Sequence, residues 1–568
     1  MRINKEMMQG IKNISRSKAQ ESSAAIERLY ITMRHLLNRG FYKPMGVSGD
    51  TLREALLLLR PEIYGSIAEE KAELNGLLYV IERLPIGIEE CRLINLTSEE
   101  GYQKSHFKAI VPPKRKRNCY RIDEEQMNVE ITRGRSDIYD ILTHLTFIFI
   151  ESHKIKNRVL VDDNGEITHE WVKLEEVVLQ KSKKLSLIER EKAISHVSSV
   201  LGRTFSEVMD IYDAFGSTAA PDRFLHIIYW LGKLAIDEAL GGAKRTITFS
   251  PILRERVGHH IHGEIWANNI KTILKQNGLL ERPIHIISAN MHSVMNSIFA
   301  HQALKNKDTS DFAVFEELSK AGNDAGRSKV EDLAMKNGMI AIPDTSGTNI
   351  DVQIFDTAAI DFSKTSFPET SFGEDKPVII VMDYAFGEQA YETIDELLKP
   401  FKEAKSKTFL KVESVSIMGK AGILEGNKGD IMIPSAHINE GTGDNYPFEN
   451  ELKAEMFEGQ GIPVYTGPMV SVLGTSLQNR DLLKFFNEST WGVIGLEMEG
   501  AYYQKAIQSA SKIRKSINPN VKVRYAYYAS DNPLETGSTL ASGGLGTSGV
   551  KPTYLITIRI LEQIFNVK

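Results

Sequence analysis

From residue 284 onward, short apolar runs rich in valine and isoleucine alternate with stretches of helical periodicity. Residues 284–289 read as a buried strand before a helix over 293–304, and residues 378–382 as another before a helix over 389–404. Residues 339–342 and 351–356 read as two paired strands, and 412–418, 430–434 and 463–467 continue the series. A run over 491–496 precedes a helix over 501–513, a strand over 521–529 follows, and a helix over 553–565 ends the chain. Strands that are apolar on both faces need cover on both sides. The pattern therefore predicts an α/β domain over residues 281–568, with a mainly parallel, twisted sheet between helices.

The first 280 residues follow a different grammar. Apolar residues recur at helical spacing over 22–37, 51–59, 68–83, 136–154, 186–201, 223–240 and 263–276, which predicts a mainly α-helical N-terminal domain. Asp162-Asp163-Asn164-Gly165 reads as a hairpin tip between 158–161 and 167–171. The boundary is placed at Gly278–Pro283. A chain of 568 residues exceeds what one core supports, which agrees with two or three domains.

Composition excludes several partner classes. A formal net charge of −5 gives no general attraction to nucleic acid or anionic membrane. Two cysteines, Cys91 and Cys119, make no disulfide framework and fit a reducing compartment. Residues 1–20 lack an apolar signal core, and the longest apolar stretch, 141–150, is too short for a bilayer. The expectation is a cytoplasmic protein without membrane or nucleic-acid partners.

Two motifs near the C-terminus carry chemistry. Gly495-Leu496-Glu497-Met498-Glu499-Gly500 and Tyr528-Ala529-Ser530-Asp531-Asn532 each put a carboxylate at or just past the end of a β-like run. In open α/β sheets ligands bind at strand ends, so paired carboxylates there point to a site. A third segment, Gly419-Lys420-Ala421-Gly422-Ile423, precedes Gly429-Asp430-Ile431-Met432-Ile433, and Ala436-His437-Ile438-Asn439 follows.

In this order the motifs resemble the signature of the nucleoside phosphorylase/nucleosidase superfamily, over about 280 residues. The resemblance implies a three-layer α/β/α fold and cleavage of an N-glycosidic bond in a purine nucleoside or nucleotide, without a cofactor or metal. It implies that Glu499 holds the ribose hydroxyls beside Met498 and Glu497, and that Asp531, preceded by Ser530, faces the purine as the acid. Gly419, Lys420 and Gly422 become a strand-turn that approaches an anion or sugar, with residues 436–439 forming a loop over the ribose. Family members are oligomeric, so a homo-oligomer is expected.

Chemistry gives the same roles. Rupture of an N-ribosyl bond passes through an oxocarbenium-like state, so the departing base needs a proton and the cationic ring needs hydrogen-bond acceptors. The apolar run before Asp531 would desolvate its carboxyl and favour the protonated form. Taken singly, Glu499 could be a first-turn helix acid and Asp531 a turn residue before Asn532-Pro533.

The departures matter too. Hydrolytic members carry acids after the first strand, whereas this chain reads Asn290-Met291-His292-Ser293. His292 offers an imidazole of suitable pKa as the base, or is simply a helix N-terminal residue. Phosphorylases of the hexameric type have an arginine two residues before the Gly-x-x-Gly. Here Ile417 stands there, leaving Lys420 as a point charge for inorganic phosphate or a substrate phosphate.

A helical domain ahead of this fold is similar to the layout of AMP nucleosidases, which implies hydrolysis of AMP to adenine and ribose 5-phosphate and a regulatory or substrate-completing N-terminal domain. The alternatives are a purine nucleoside phosphorylase and a non-catalytic nucleotide sensor.

Three further stretches are weighed. His259-His260-Ile261-His262-Gly263-Glu264 reads as a hydrogen-bonded junction ahead of a metal site. Lys114-Arg115-Lys116-Arg117 reads as a solvated loop, with an effector-phosphate site joined by Arg133-Gly134-Arg135 as the minor reading. The glycine-rich 540–550 reads as a flap or a linker.

Overall fold

The computed structural model describes residues 2–567 except 163, 181–184, 218–219, 307–311, 404–405 and 536–545, with side chains from residue 17 onward. The chain forms two compact units. One runs to His259 and includes Ser476–Leu482; the other comprises His260–Thr475 and the chain from Leu483. The second unit thus begins at His260 and not at 281. The reason is the helix Ile261–Gln276, whose Trp266, Ala267, Ile270 and Leu274 are buried in that unit's core. Among the described residues, no helix is long and apolar enough to cross a membrane.

The first unit is not helical throughout. It holds a five-stranded sheet made of β1 (Phe41–Tyr42), β2 (Leu93–Thr97), β3 (Cys119–Arg121), β4 (Gln126–Glu130) and β5 (Thr246–Phe249), in the order β1-β5-β2-β4-β3. These strands of two to five residues are too short to show a period in sequence. The expected helix over 68–83 shrinks to Leu74–Ile81, and the hairpin around Gly165 to a single bridge between Leu160 and Ile167. Arg158 and Val159 are instead the last turn of the helix Gly134–Val159.

The basic run is corrected as well. Arg115 and Arg117 do not sit in a solvated loop. Arg115 pairs with Asp140 at 2.8 Å, and Arg117 with Asp137 at 2.7 Å and also with Asp140. Arg133 joins Asp137 at 2.8 Å. Burial alone would raise the Asp140 carboxyl, but Arg115, His144 and Arg117 hold it well below the usual carboxylate range.

The second unit is built on a ten-stranded mixed sheet. Its strands are β6 (Pro283–Ser288), β7 (Met339–Ile342), β8 (Val352–Asp356), β9 (Val378–Met382), β12 (Lys411–Ile423), β13 (Ile431–Asn439), β14 (Asn445–Pro447), β15 (Val464–Ser471), β16 (Gly495–Glu497) and β17 (Lys522–Asp531). A small hairpin, β10 (Phe401–Glu403) with β11 (Ser406–Thr408), stands apart and replaces the end of the expected helix over 389–404.

β12 pairs in parallel with β6 and β17, β6 with β9, and β15 with β13 and β16. Antiparallel pairs join β12 to β16 and β13 to β17, and β8 to both β7 and β9. The sheet is therefore mixed, with its longest ladders parallel and shorter antiparallel pairs among them. Strands β13, β15, β16, β12 and β17 close a ring on themselves, and β6-β9-β8-β7 extends from it as an open wing.

Alternate residues of the wing face opposite cores. Ile284, Ile286, Val378 and Ile380 pack with the helices Ile261–Gln276, Gln389–Leu397 and Gly500–Gln508. Ile287, Ile379 and Val381 pack with the helices Met291–Ala303, Asp324–Lys336 and Val550–Ile564. Helices thus lie on both faces, as continuous apolar strands require.

Candidate active site in the second unit

Asp531 is the last residue of β17. Along the β12–β17 pair, Lys420 opposes Tyr528 and Ala421 opposes Ala529, but Gly422 opposes Asp531. Ser530 is therefore the extra residue of a bulge. Without it Ser530 would share the sheet face of Lys420 and Tyr528, and with it Asp531 does.

The Asp531 side chain is buried. Its Oδ1 lies 2.6 Å from Ser530 Oγ, which also lies 3.1 Å from the Ala421 carbonyl, and its Oδ2 has no hydrogen-bond partner. Burial raises its pKa above the ordinary aspartate value, against the Ser530 hydrogen bond and the charges of Lys428 and Lys420. Burial thus favours the protonated form of this carboxyl, and its Oδ2 has no hydrogen-bond partner among the described residues.

Gly422 links this carboxyl to the triplet, since its other neighbour is Leu496 on β16. Asp531 and Leu496 stand two strand spacings apart, roughly 10 Å. A Cβ on Gly422 would lie 2.7 Å from Leu496 Cδ2, so the close approach requires glycine. Gly422→Ala is expected to destabilise the fold by about 1–3 kcal/mol in urea denaturation, because buried Leu496 has no space to yield.

The three triplet residues have separate fates. Glu499 is half-buried at the N-cap of the helix Gly500–Gln508, and its Oε1 accepts from the Gly387 N–H at 2.8 Å. Tyr503, one turn on, meets Ser288 of β6 through their hydroxyls at 2.9 Å. Met498 packs with Leu424, Ile438, Val472 and Leu496 in a small apolar cluster.

Glu497, expected among the ligand-binding residues, is buried. Its carboxylate accepts from Ser471 Oγ and from the Glu499 and Gly500 N–H groups, and it lies 3.3 Å from His437 Nδ1. It anchors the triplet and faces protein on every side.

The Gly-x-x-Gly is not a turn. Gly419, Lys420 and Gly422 all lie within β12, which runs unbroken to Ile423. At Gly419 a Cβ would meet Tyr384 Cε1 at 3.4 Å, an ordinary contact. Residues 436–439 are also strand and not loop. His437 is fully buried, stacked on Phe448 at 5.3 Å and edge-on to Tyr525 at 4.8 Å.

His292 is exposed in the first turn of the helix Met291–Ala303, where its N–H donates to the Asn290 cap at 2.9 Å. It lines one cavity of about 470 Å³ together with Lys420 and Tyr528. Of the expected flap, residues 540–545 lie outside the described residues, and Gly546–Gly549 form a short helical turn.

Sequence reading missed Glu440, just after β13. Burial pushes its carboxyl up to about 7, against one hydrogen bond from the Leu473 N–H at 3.3 Å. A carboxyl raised on folding stabilises fully below its unfolded value, and that contribution is lost as pH rises through about 7. Thermal melts of Glu440→Gln should therefore flatten the pH dependence of stability in this window. Nothing in Asn439-Glu440-Gly441 signals this, because its burial comes from the segment after β15.

The described contacts of His260 and His262 lie within the second unit. His262 Nδ1 lies 2.8 Å from the Ser346 carbonyl oxygen. His260, Asp395 and Glu396 cluster closely, but Lys399 pairs with both carboxylates and Arg514 with Asp395 at 2.7 Å.

No curated protein matches the chain. Among solved structures it is similar to futalosine hydrolase of Helicobacter pylori, at 13% identity over 50% of this chain and 99% of that one, with a TM-score of 0.30. It is also similar to the 5′-methylthioadenosine/S-adenosylhomocysteine nucleosidases of Helicobacter pylori and Campylobacter jejuni. These share 13% and 10% identity over 50% of this chain and 98% and 100% of theirs, both with a TM-score of 0.31. Residues 50–332 and 313–566 match a family of unknown function, DUF6909.

Proposed function

We propose that this chain, which belongs to the family of unknown function DUF6909, is a purine N-ribosyl hydrolase that converts AMP to adenine and ribose 5-phosphate. The observation that carries the reading is the buried Asp531, its pKa raised by burial and its position turned by a bulge onto the sheet face of Lys420, with half-buried Glu499 just past the end of β16, two strands away. The order of motifs that resembles nucleosidases supports the same assignment.

In this mechanism the C1′–N9 bond breaks and its electron pair passes to the purine. Asp531 delivers its proton to N7 as that charge develops. The ribose hydroxyls donate to Glu499, and these bonds strengthen as the ring becomes cationic, so they lower the barrier as well as bind. Water adds to C1′, and its released proton returns to solvent, from which Asp531 is reprotonated. Glu497 keeps the triplet backbone fixed, and Met498 lines the apolar side of the sugar.

One observation favours a second reading. Lys420 and His292 line the same cavity, so a phosphate ion could sit there as the nucleophile of a phosphorolysis. Incubation with AMP, adenosine and inosine, each with and without phosphate, separates the two. Adenine and ribose 5-phosphate formed from AMP without added phosphate supports hydrolysis. Ribose 1-phosphate formed only with phosphate selects the second reading, and no base release from any substrate rejects both.

A further inference from the structure

The open wing of the sheet carries paired acids at one end. Val352 of β8 opposes Met382 of β9, and beyond them the Asp383 N–H donates to the Asp351 carbonyl at 3.0 Å. Asp351 and Asp383 therefore continue the ladder and stand opposite each other on neighbouring strands. Like charges in that arrangement cost stability unless a positive charge answers them. Asp351 Oδ1 accepts from the Asp344 N–H at 2.8 Å, and Asp383 Oδ1 from the Tyr384 N–H at 2.8 Å. These amides fix the carboxylates but bring no net charge.

A buried amide adds an independent signal. Asp351 shares its face of β8 with Gln353 and Phe355, because side chains alternate along a strand. Phe355 packs in the core under the helices Met291–Ala303 and Asp324–Lys336, so the same alternation calls for an apolar residue at 353. A glutamine stands there instead. Gln353 is 7% exposed, and its Oε1 has no hydrogen-bond partner. A buried acceptor left without a donor is costly, and a ligand N–H would supply one.

Both features open into one cavity of about 510 Å³, to which the helix Asp324–Lys336 adds Glu331. No lysine or arginine is among the described residues that line it. Arg327, one turn earlier on the same helix, lines the neighbouring cavity with Lys420, and the two cavities share only Asn290 and His292. Between the acids, Met291, Ile342 and Val352 supply apolar wall. The carboxylates are too widely spaced to converge on one metal ion. Among the described residues, a set of three ligand atoms within 4.8 Å of one another occurs only at His260, Asp395 and Glu396. Separated charges with apolar wall between them suit a cation whose charges are carried on a carbon chain.

We propose that this cavity binds an aliphatic diamine, with Asp351, Asp383 and Glu331 facing its ammonium groups and Gln353 Oε1 accepting an ammonium N–H. The methylene chain lies against Met291, Ile342 and Val352. The inference stands apart from the N-ribosyl reading, since it uses neither Asp531 nor Glu499.

The test is calorimetric titration of the full chain at low ionic strength with 1,4-diaminobutane, butylamine, butan-1-ol and magnesium chloride, each alone. The diamine should bind one molecule per chain, butylamine more weakly, and the alcohol not at all. Glu331→Gln combined with Asp351→Asn should weaken diamine binding about tenfold or more, and Gln353→Leu by about the same factor. Leucine meets the apolar demand of the face shared with Phe355, so the melting temperature of Gln353→Leu should not fall. That separates lost recognition from lost folding.

Magnesium binding as tightly as the diamine would overturn the organic cation in favour of a metal ion. Equal affinity for butylamine would overturn a doubly charged occupant. No diamine binding, or wild-type affinity in both variants, would overturn the site itself. Base release from AMP should be unchanged in Gln353→Leu, so failure of this site and failure of the N-ribosyl reading are read separately.

Discussion

Asp531→Asn is expected to lower kcat for base release by roughly 10²–10⁴-fold while the protein stays folded. Asparagine keeps the shape and can still hydrogen-bond, but it has no proton to give to the leaving purine. The same substitution should raise stability at high pH. The Asp531 carboxyl is raised in the folded state by burial, so it contributes fully below the unfolded aspartate value and loses that contribution as pH rises through its folded value. An uncharged amide loses nothing over that window. Melting temperatures of the two proteins should therefore converge in acid and separate toward alkali, with the variant higher. Wild-type turnover should fall across the same window, because the acid must be protonated to act. Unchanged kcat in Asp531→Asn would remove Asp531 from the mechanism.

Glu497→Ala should cost about 1–3 kcal/mol of stability or more, the range for leaving buried hydrogen-bond donors without an acceptor. The loss is distributed over the Ser471 hydroxyl, the Glu499 and Gly500 N–H groups and His437, all of which meet this one carboxylate. Glu499→Ala is the informative contrast. Two positions along, the side chain is half-buried, and it accepts from the Gly387 and Met498 N–H groups. It should reduce kcat/KM strongly with little change in the denaturation midpoint. Equal destabilisation by both alanine variants would place Glu499 in the scaffold and remove the ribose-holding role.

The triplet shows how far sequence reading reaches. Its position at the end of an apolar run is visible in Trp491–Leu496, and so is that of Asp531 after Val521–Ala529. The division of labour inside it is not visible, because the two glutamates have the same local neighbourhood. Glu497 turns inward because β15 brings Ser471 beside it, and β13 brings His437. The Gly-x-x-Gly misleads for a related reason. Glycines permit a turn, but here Gly422 is required by contact with Leu496 from another strand, so the segment remains extended.

What the sequence determined by itself is the alternation of strand and helix after residue 283, the helices on both faces and the carboxylates at strand ends. Hydrophobic period and apolar run length are properties of consecutive residues, and they fix which faces must be covered. The tertiary structure alone decided the closed ring of five strands, the bulge that turns Asp531 onto the face of Lys420, and the meeting of His292, Arg327 and Lys420 around one cavity. It also decided the first unit's sheet and the inward turn of Arg115 and Arg117. Each depends on register and contact between segments far apart in the chain. A one-residue shift there reverses which side chains share a face and leaves the local pattern unchanged.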